Sequence, residues 1–355
     1  MGDPGSSPPA GGQAPPDCAR ARFPEVAAAA PHYESFYLKA CAPGGGLGLW
    51  LRYTVLKPPD GAPAGALWCT LFDAAAPGPV AVKQTLGGDR LARPDGGYVR
   101  IGESLLTPDR ADGSAAAGGT TASWGITLEG GEPALAHLPR AWLYGTPLPR
   151  TKLCSPRPAV RATGAAMVGG RSVELDGWPA MVGHNWGAEH AERWVWLHGS
   201  FGGGAWLDVA VARVRLGRWV SPWLASGALS LDGARHRLGG PGRWAGLLQR
   251  ASPGTSVVAS PEGCRFELPG RGLRLRGVVR AERKDVVGWV YADPAGGSHD
   301  TLNCSIATME LTAWLDGRSR TLRCAGGAAY ELGTRDHDHG IPLQPYPDGQ
   351  VAPER

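Results

Sequence analysis

The segment from Met181 to His198 gathers three His, two Glu, one Arg and three Trp into eighteen residues of a chain otherwise rich in Gly, Ala, Pro and aliphatic side chains. Such groups need partners once they leave water, because an unpaired buried polar group costs roughly 1–3 kcal/mol and an unpaired charge far more. The segment therefore reads as a polar patch in an apolar cavity. If Arg193 to Phe201 is a strand, Trp194, Trp196 and His198 share one face and line one wall together. Core packing is the competing explanation for these Trp, since burying each removes about 150–250 Å², roughly 4–6 kcal/mol. It leaves His184, Glu189, His190 and Glu192, just upstream, without a role.

Other chemistries find less support. His184 and His190 are six residues apart, which neither a helix nor a strand brings together as a chelate, so no metal is expected there. His337 and His339 share a face if extended, but their charged surroundings read equally well as a solvated loop. His299 beside Asp300 could be an acid/base pair or an exposed turn, with adjacent side chains pointing apart. The chain has no G-x-S-x-G and no G-x-x-x-x-G-K-[ST], and its Gly triplets lie in hairpin-like surroundings, so neither a Ser nucleophile nor a nucleotide cofactor is expected. No cofactor of any kind is expected.

The elements that must position these residues are strands. With 54 Gly and 32 Pro in 355 residues, turns are frequent and helices few and short. Residues 1–30 read as a disordered tail and 346–355 as a flexible end. Glu34 to Ala40 alternates, with Ser35, Tyr37 and Lys39 on one face and Phe36, Leu38 and Ala40 on the other; further short runs follow at roughly 8–12-residue spacing. The Pro-rich stretch 139–164 reads as a connection, dividing a first β domain, 31–150, from a second, 151–345. The fold class is all-β: two antiparallel barrels or sandwiches side by side, closed to hide their edges.

A net charge of +4 with scattered Arg argues against nucleic acid as a partner. No apolar run approaches a membrane span and no signal peptide is evident, so a cytoplasmic location is expected by default. Seven Cys without close pairs read as reduced, mostly buried thiols.

The run Gly183-His184-Asn185-Trp186-Gly187, together with Glu34 to Lys39, resembles the lipocalin-like superfamily of carotenoid 1,2-hydratases (hydroxyneurosporene synthases), AttH-type proteins and tocopherol cyclases, over residues 32–345. The resemblance implies two lipocalin-like β units with a greasy substrate in or between them. Matched by position are His184, Trp186, Glu34 and Tyr37. Hydratase members carry Asp before the His of this run, where this chain has Gly183, which puts acid-initiated hydration in doubt.

The resulting expectation is an enzyme that cyclises, isomerises or hydrates an apolar terpenoid- or polyketide-type molecule, with His184, Glu34 and Glu189 as acid/base groups. Tyr37, Trp186, Trp194, Trp196, His198 and His299 then shape the pocket. Two alternatives use the same residues: a non-catalytic carrier of lipophilic ligands, or a structural network in which His184, Asn185 and Glu189 tie strands together.

Overall fold

The structure, a computed structural model, describes residues 17–239, 254–348 and 350. Its regular elements are antiparallel strands and five short 3-10 turns, arranged in a twelve-stranded and a ten-stranded sheet and one small ribbon. Among the described residues no helix is long and apolar enough to cross a membrane.

Four strands, His32–Cys41, Leu47–Lys57, Ala64–Asp73 and Val80–Gly87, form a meander whose first member pairs with Arg171–Gly187. That strand pairs with Thr151–Val168, and the sheet continues through Thr120–Glu129 and Arg110–Ala117. It curls until Val80–Gly87 packs on Arg110–Ala117. The second sheet begins with Arg193–Ser200 and runs to Arg318–Thr334, and an isolated backbone bridge links Leu238, on its edge strand Ala234–Leu238, to Gly270. Both are curled, barrel-like antiparallel units, as expected of this sequence.

Period-two alternation sorts the side chains. Phe36, Leu38 and Ala40 enter the core of the first unit, while Tyr37 points to the seam, where it packs with Met181, Trp196 and Ala329. Trp50, Trp68 and Phe72 of the first sheet join the core of the second. At their junction the rings of Trp68 and Trp289 lie 4.8 Å apart, edge to face.

Three sequence expectations need correction. The stretch 139–164 is not simply a connection: Thr151–Val168 is an eighteen-residue strand of the first sheet. Its Pro156 and Pro158 are accommodated where the register shifts between Cys154 and Arg157 and between Arg157 and Val160, because a bulge tolerates a residue without an N–H. The change of sheet accordingly falls between Gly187 and Arg193, not at 150.

The proposed tail is ordered from residue 17. Ala21 is fully buried, and Lys57 Nζ donates to the carbonyls of Ala27, Ala28 and Ala30. Small residues pack here because their backbone, not their side chains, supplies the contacts. Similarly, the carbonyls of Tyr346 and Pro347 accept from Lys83 Nζ, which fixes the start of the proposed flexible end. Residues 1–16, 349 and 351–355 of those two segments lie outside the described residues.

Candidate functional site between the two sheets

His184 lies on the strand Arg171–Gly187, paired with Phe36 across the register. Its side chain, like those of Val182 and Ala180, faces the interior of the first unit. There it is completely enclosed. Its Nε2 lies 2.8 Å from Glu34 Oε1 and its Nδ1 2.9 Å from the Cys18 carbonyl, and the ring is stacked on Phe36 and Trp186. Glu34 also accepts the backbone N–H groups of Arg22 and Phe23 and lies 3.3 Å from His32 Nε2. Burial alone would raise this carboxyl, but the hydrogen bonds and charge from His184 and His32 outweigh it and hold it down to about 2. Burial pushes His184 below its ordinary value, against the pull of Glu34. Every polar atom of the pair is matched within the protein, so it clamps residues 17–23 onto the barrel. The guanidinium of Arg22, 4.9 Å from the Trp186 ring, completes the clamp.

The open space lies on the other side of the same strands. A cavity of about 650 Å³ is bounded by Tyr33, Tyr37, Arg52 and Asn185 from the first sheet and by Trp194, Trp196, Tyr291 and Glu331 from the second. The segment from Leu138 to Thr151 covers one side. Of the residues singled out in the sequence, Tyr37, Trp194, Trp196 and Glu189 line this cavity, whereas His184, Glu34, Trp186, His198 and His299 are not among its lining. Glu189 stands paired with Arg150. His198 lies beyond Trp196 on the shared face, with Nε2 3.1 Å from the Pro158 carbonyl; burial drops it to about 4, so it is neutral. Trp196 donates to Asp208, which in turn meets His137 and Ser155, so this wall is pinned to both sheets.

Glycines let the aromatic walls approach the backbone. Tyr37 lies opposite Gly183, where an added Cβ would stand 2.1 Å from the Tyr37 ring. An Asp at this position therefore could not be accommodated under Tyr37 as it stands. Trp194 likewise lies on Gly333 and donates to Glu331 at 2.9 Å. Tyr291 and Asn303 donate to the other Glu331 oxygen at 3.3 and 3.2 Å.

His190 carries the most useful chemistry in the cavity. Its ring is stacked on Tyr33 at 3.9 Å, and its Nδ1 and backbone N–H both lie 2.8 Å from Asp293 Oδ1. Burial would raise the Asp293 carboxyl, but the hydrogen bonds and charge of His190 prevail and hold it below its ordinary value. In the neutral imidazole an ionised Asp293 makes Nδ1 the protonated nitrogen and leaves the lone pair on Nε2, which is buried and has no partner among the described residues. Such a nitrogen can accept a proton from a bound molecule and return it. His299, 5.9 Å from His190 ring to ring, is neutral because burial and the neighbouring His190 lower it to about 4. His190, Asp293 and His299 bring three potential metal-ligand atoms within 4.8 Å of one another. Arg335 already donates to Asp293 Oδ2 at 3.1 Å, and this cation at the carboxylate favours the hydrogen-bonded dyad over an ion.

Several of these groups carried little signal in the sequence. Arg52 was not singled out, although it is the one charge in the run from Leu49 to Leu56; His190 belonged to the dense segment. Glu331 and Asp293 had no local pattern; pairing of Trp196 with Glu331 across strands brings the carboxylate to the cavity.

No family model matches the sequence. An uncharacterized protein of Mycobacterium tuberculosis is 29% identical over 207 residues, which cover 58% of this chain; the chain spans about 60% of that relative's length. The fold is similar to that of CghA, solved with Sch210972, at a TM-score of 0.52 and 13% identity over 86% of this chain and 89% of that one. An AttH-type protein of Nitrosomonas europaea aligns at a TM-score of 0.49 and 13% identity over 91% of this chain and 99% of that one. At this identity the likeness to CghA is one of fold alone, two barrel-like antiparallel units, as the resemblance implied.

Proposed function

We propose that the protein is an enzyme that cyclises or isomerises an apolar small molecule of terpenoid or polyketide type in the cavity between its two sheets, with His190 as the proton-transfer group and Asp293 as its positioning residue. The observation that carries this reading is the free Nε2 of His190 on the wall of a largely aromatic and aliphatic cavity. Enclosure holds the reacting ends of a flexible molecule together, worth on the order of 7–11 kcal/mol when alignment is good. A positioned base adds roughly 10²–10⁴-fold. Trp194 and Trp196 supply faces that stabilise a developing cation by about 0.5–2 kcal/mol each. Hydration fits less well, because Gly183 stands where the hydratase acid would be.

CghA was solved with a small molecule, Sch210972, and a comparable occupant suits this cavity. The test is to incubate wild-type and His190→Gln protein with lipophilic extract of the source cells and compare products by mass spectrometry. Wild-type protein should convert one component into a product of unchanged mass and different retention, and the variant should not. A component that co-purifies with the protein and is never converted would instead make it a carrier.

A further inference from the structure

Arg52 is a buried charge, 3% exposed, on the cavity wall with no acid paired to it among the described residues. Its Nε donates to Ser35 Oγ at 2.7 Å, and its guanidinium carbon sits 3.8 Å above the Tyr291 ring and 5.3 Å from that of Trp68. Its Nη1 is buried without a hydrogen-bond partner, and among the described residues no carboxylate oxygen comes within 4.0 Å of it. A guanidinium cannot shed its proton, so burial cannot be relieved by neutralisation. Stacking on two rings offsets only part of the desolvation that a buried ion suffers.

The surroundings deepen the imbalance. Lys83 is also buried, with Nζ 4.6 Å from the same Trp68 ring, and has one carboxylate, Asp348, at 3.7 Å. Two cations thus flank Trp68 against one acid. Glu331, also on the wall, has its oxygens engaged by Trp194, Tyr291 and Asn303. An apolar cavity with an unpaired guanidinium on its wall is chemically complete only when a negative oxygen group enters it.

We propose that the occupant of the cavity is an amphipathic acid, an apolar body bearing one carboxylate or acidic enolate that pairs with Arg52. This rests on the cavity being a small-molecule site, as in the function proposed above. The planar fork of the guanidinium matches two oxygens side by side. Tyr291 lies under Arg52 and has its ring 5.9 Å from that of His190, so the anchored end of the acid lies beside the proton-transfer group.

The test uses decanoate, decanol and decylamine, which share an apolar chain and differ at the head, each titrated against the whole protein while the fluorescence of Trp194 and Trp196 is followed. Wild-type protein should bind decanoate at least about tenfold more tightly than decanol, with decylamine weakest. Arg52→Met should bring acid and alcohol within about twofold while decanol still binds, and Arg52→Lys should keep the preference for the acid. Wild-type protein binding decanoate and decanol equally overturns the anchor and leaves the cavity reading standing; this comparison needs no variant to fold. A preference that survives Arg52→Met also overturns it. Failure of all three probes to bind overturns the cavity reading and the anchor with it.

Discussion

Replacing Glu34 by Gln separates a structural role for the His184 pair from a chemical one. A carboxyl held at about 2 against its ordinary 4.5 makes the ionised form worth about 3 kcal/mol to the folded state. Because the folded value is the lower one, this contribution is present above about pH 4.5 and is lost as pH falls toward about 2. Gln keeps the shape, still accepts from one of the Arg22 and Phe23 N–H groups, and removes the charge. At pH 7 the variant should therefore be about 3 kcal/mol less stable in denaturant titrations. Spread over a chain of this size, that lowers the melting temperature by about 4 °C. At pH 3 the difference should shrink to about 1 kcal/mol, since much of the wild-type advantage is then gone. Decanol binding, read from tryptophan fluorescence, should change less than about twofold, because Glu34 is not on the cavity wall. A variant as stable as wild type at pH 7, or a difference that does not vary with pH, refutes the clamp. A fully stable variant that loses ligand binding or turnover would return Glu34 to the site.

His190→Gln should lower turnover of the identified substrate by about 10²–10⁴-fold with ligand affinity nearly unchanged; Asp293→Asn should cost less and alter the pH profile, because it frees the His190 tautomer. Gly183→Ala would place a Cβ 2.1 Å from the Tyr37 ring, so that ring must move into the cavity; circular dichroism should show a folded protein destabilised by about 1–3 kcal/mol, and decanol affinity should fall about tenfold. Asp208 is held down to about 2, since His137, His198 and Ser155 outweigh the opposing effect of burial, against an ordinary 3.8. Asp208→Asn should therefore cost about 2 kcal/mol at neutral pH, a difference that fades as pH drops from about 3.8 toward 2, measured by denaturant titration.

How much of this was legible in the sequence depends on the range over which a signal acts. The strand Glu34 to Ala40 was readable because alternation is local, and it correctly divided Tyr37 from Phe36. The same rule put Trp194, Trp196 and His198 on one face, of which Trp194 and Trp196 line the cavity and His198 does not. It could not say which face of Arg171–Gly187 looks into a hollow. Had that strand been read with the period used for its neighbours, His184 and Trp186 would have separated from Gly183 and Asn185, but only the pairing of Phe36 with His184 decides which set faces the barrel core. The strand Thr151–Val168 was missed because Pro156 and Pro158 argue against a strand unless a bulge receives them, and a bulge is set by the partner strand. Residues 17–30 looked unable to pack because many of their contacts are made by carbonyl and N–H groups, which every sequence possesses, and few by large apolar side chains. Asp293 and Glu331 reach the site from more than 90 residues beyond Trp194, and nothing in their own neighbourhoods announces the meeting.

The central claim, that the ligand lies between the two sheets and not inside the first around His184, is tested most directly by a crystal structure with 10-bromodecanoate, whose bromine reports its position by anomalous scattering. The account predicts a bromine peak among Tyr37, Trp194 and Trp196, with the carboxylate on Arg52. A peak within the first barrel beside Phe36 and His184 would contradict it.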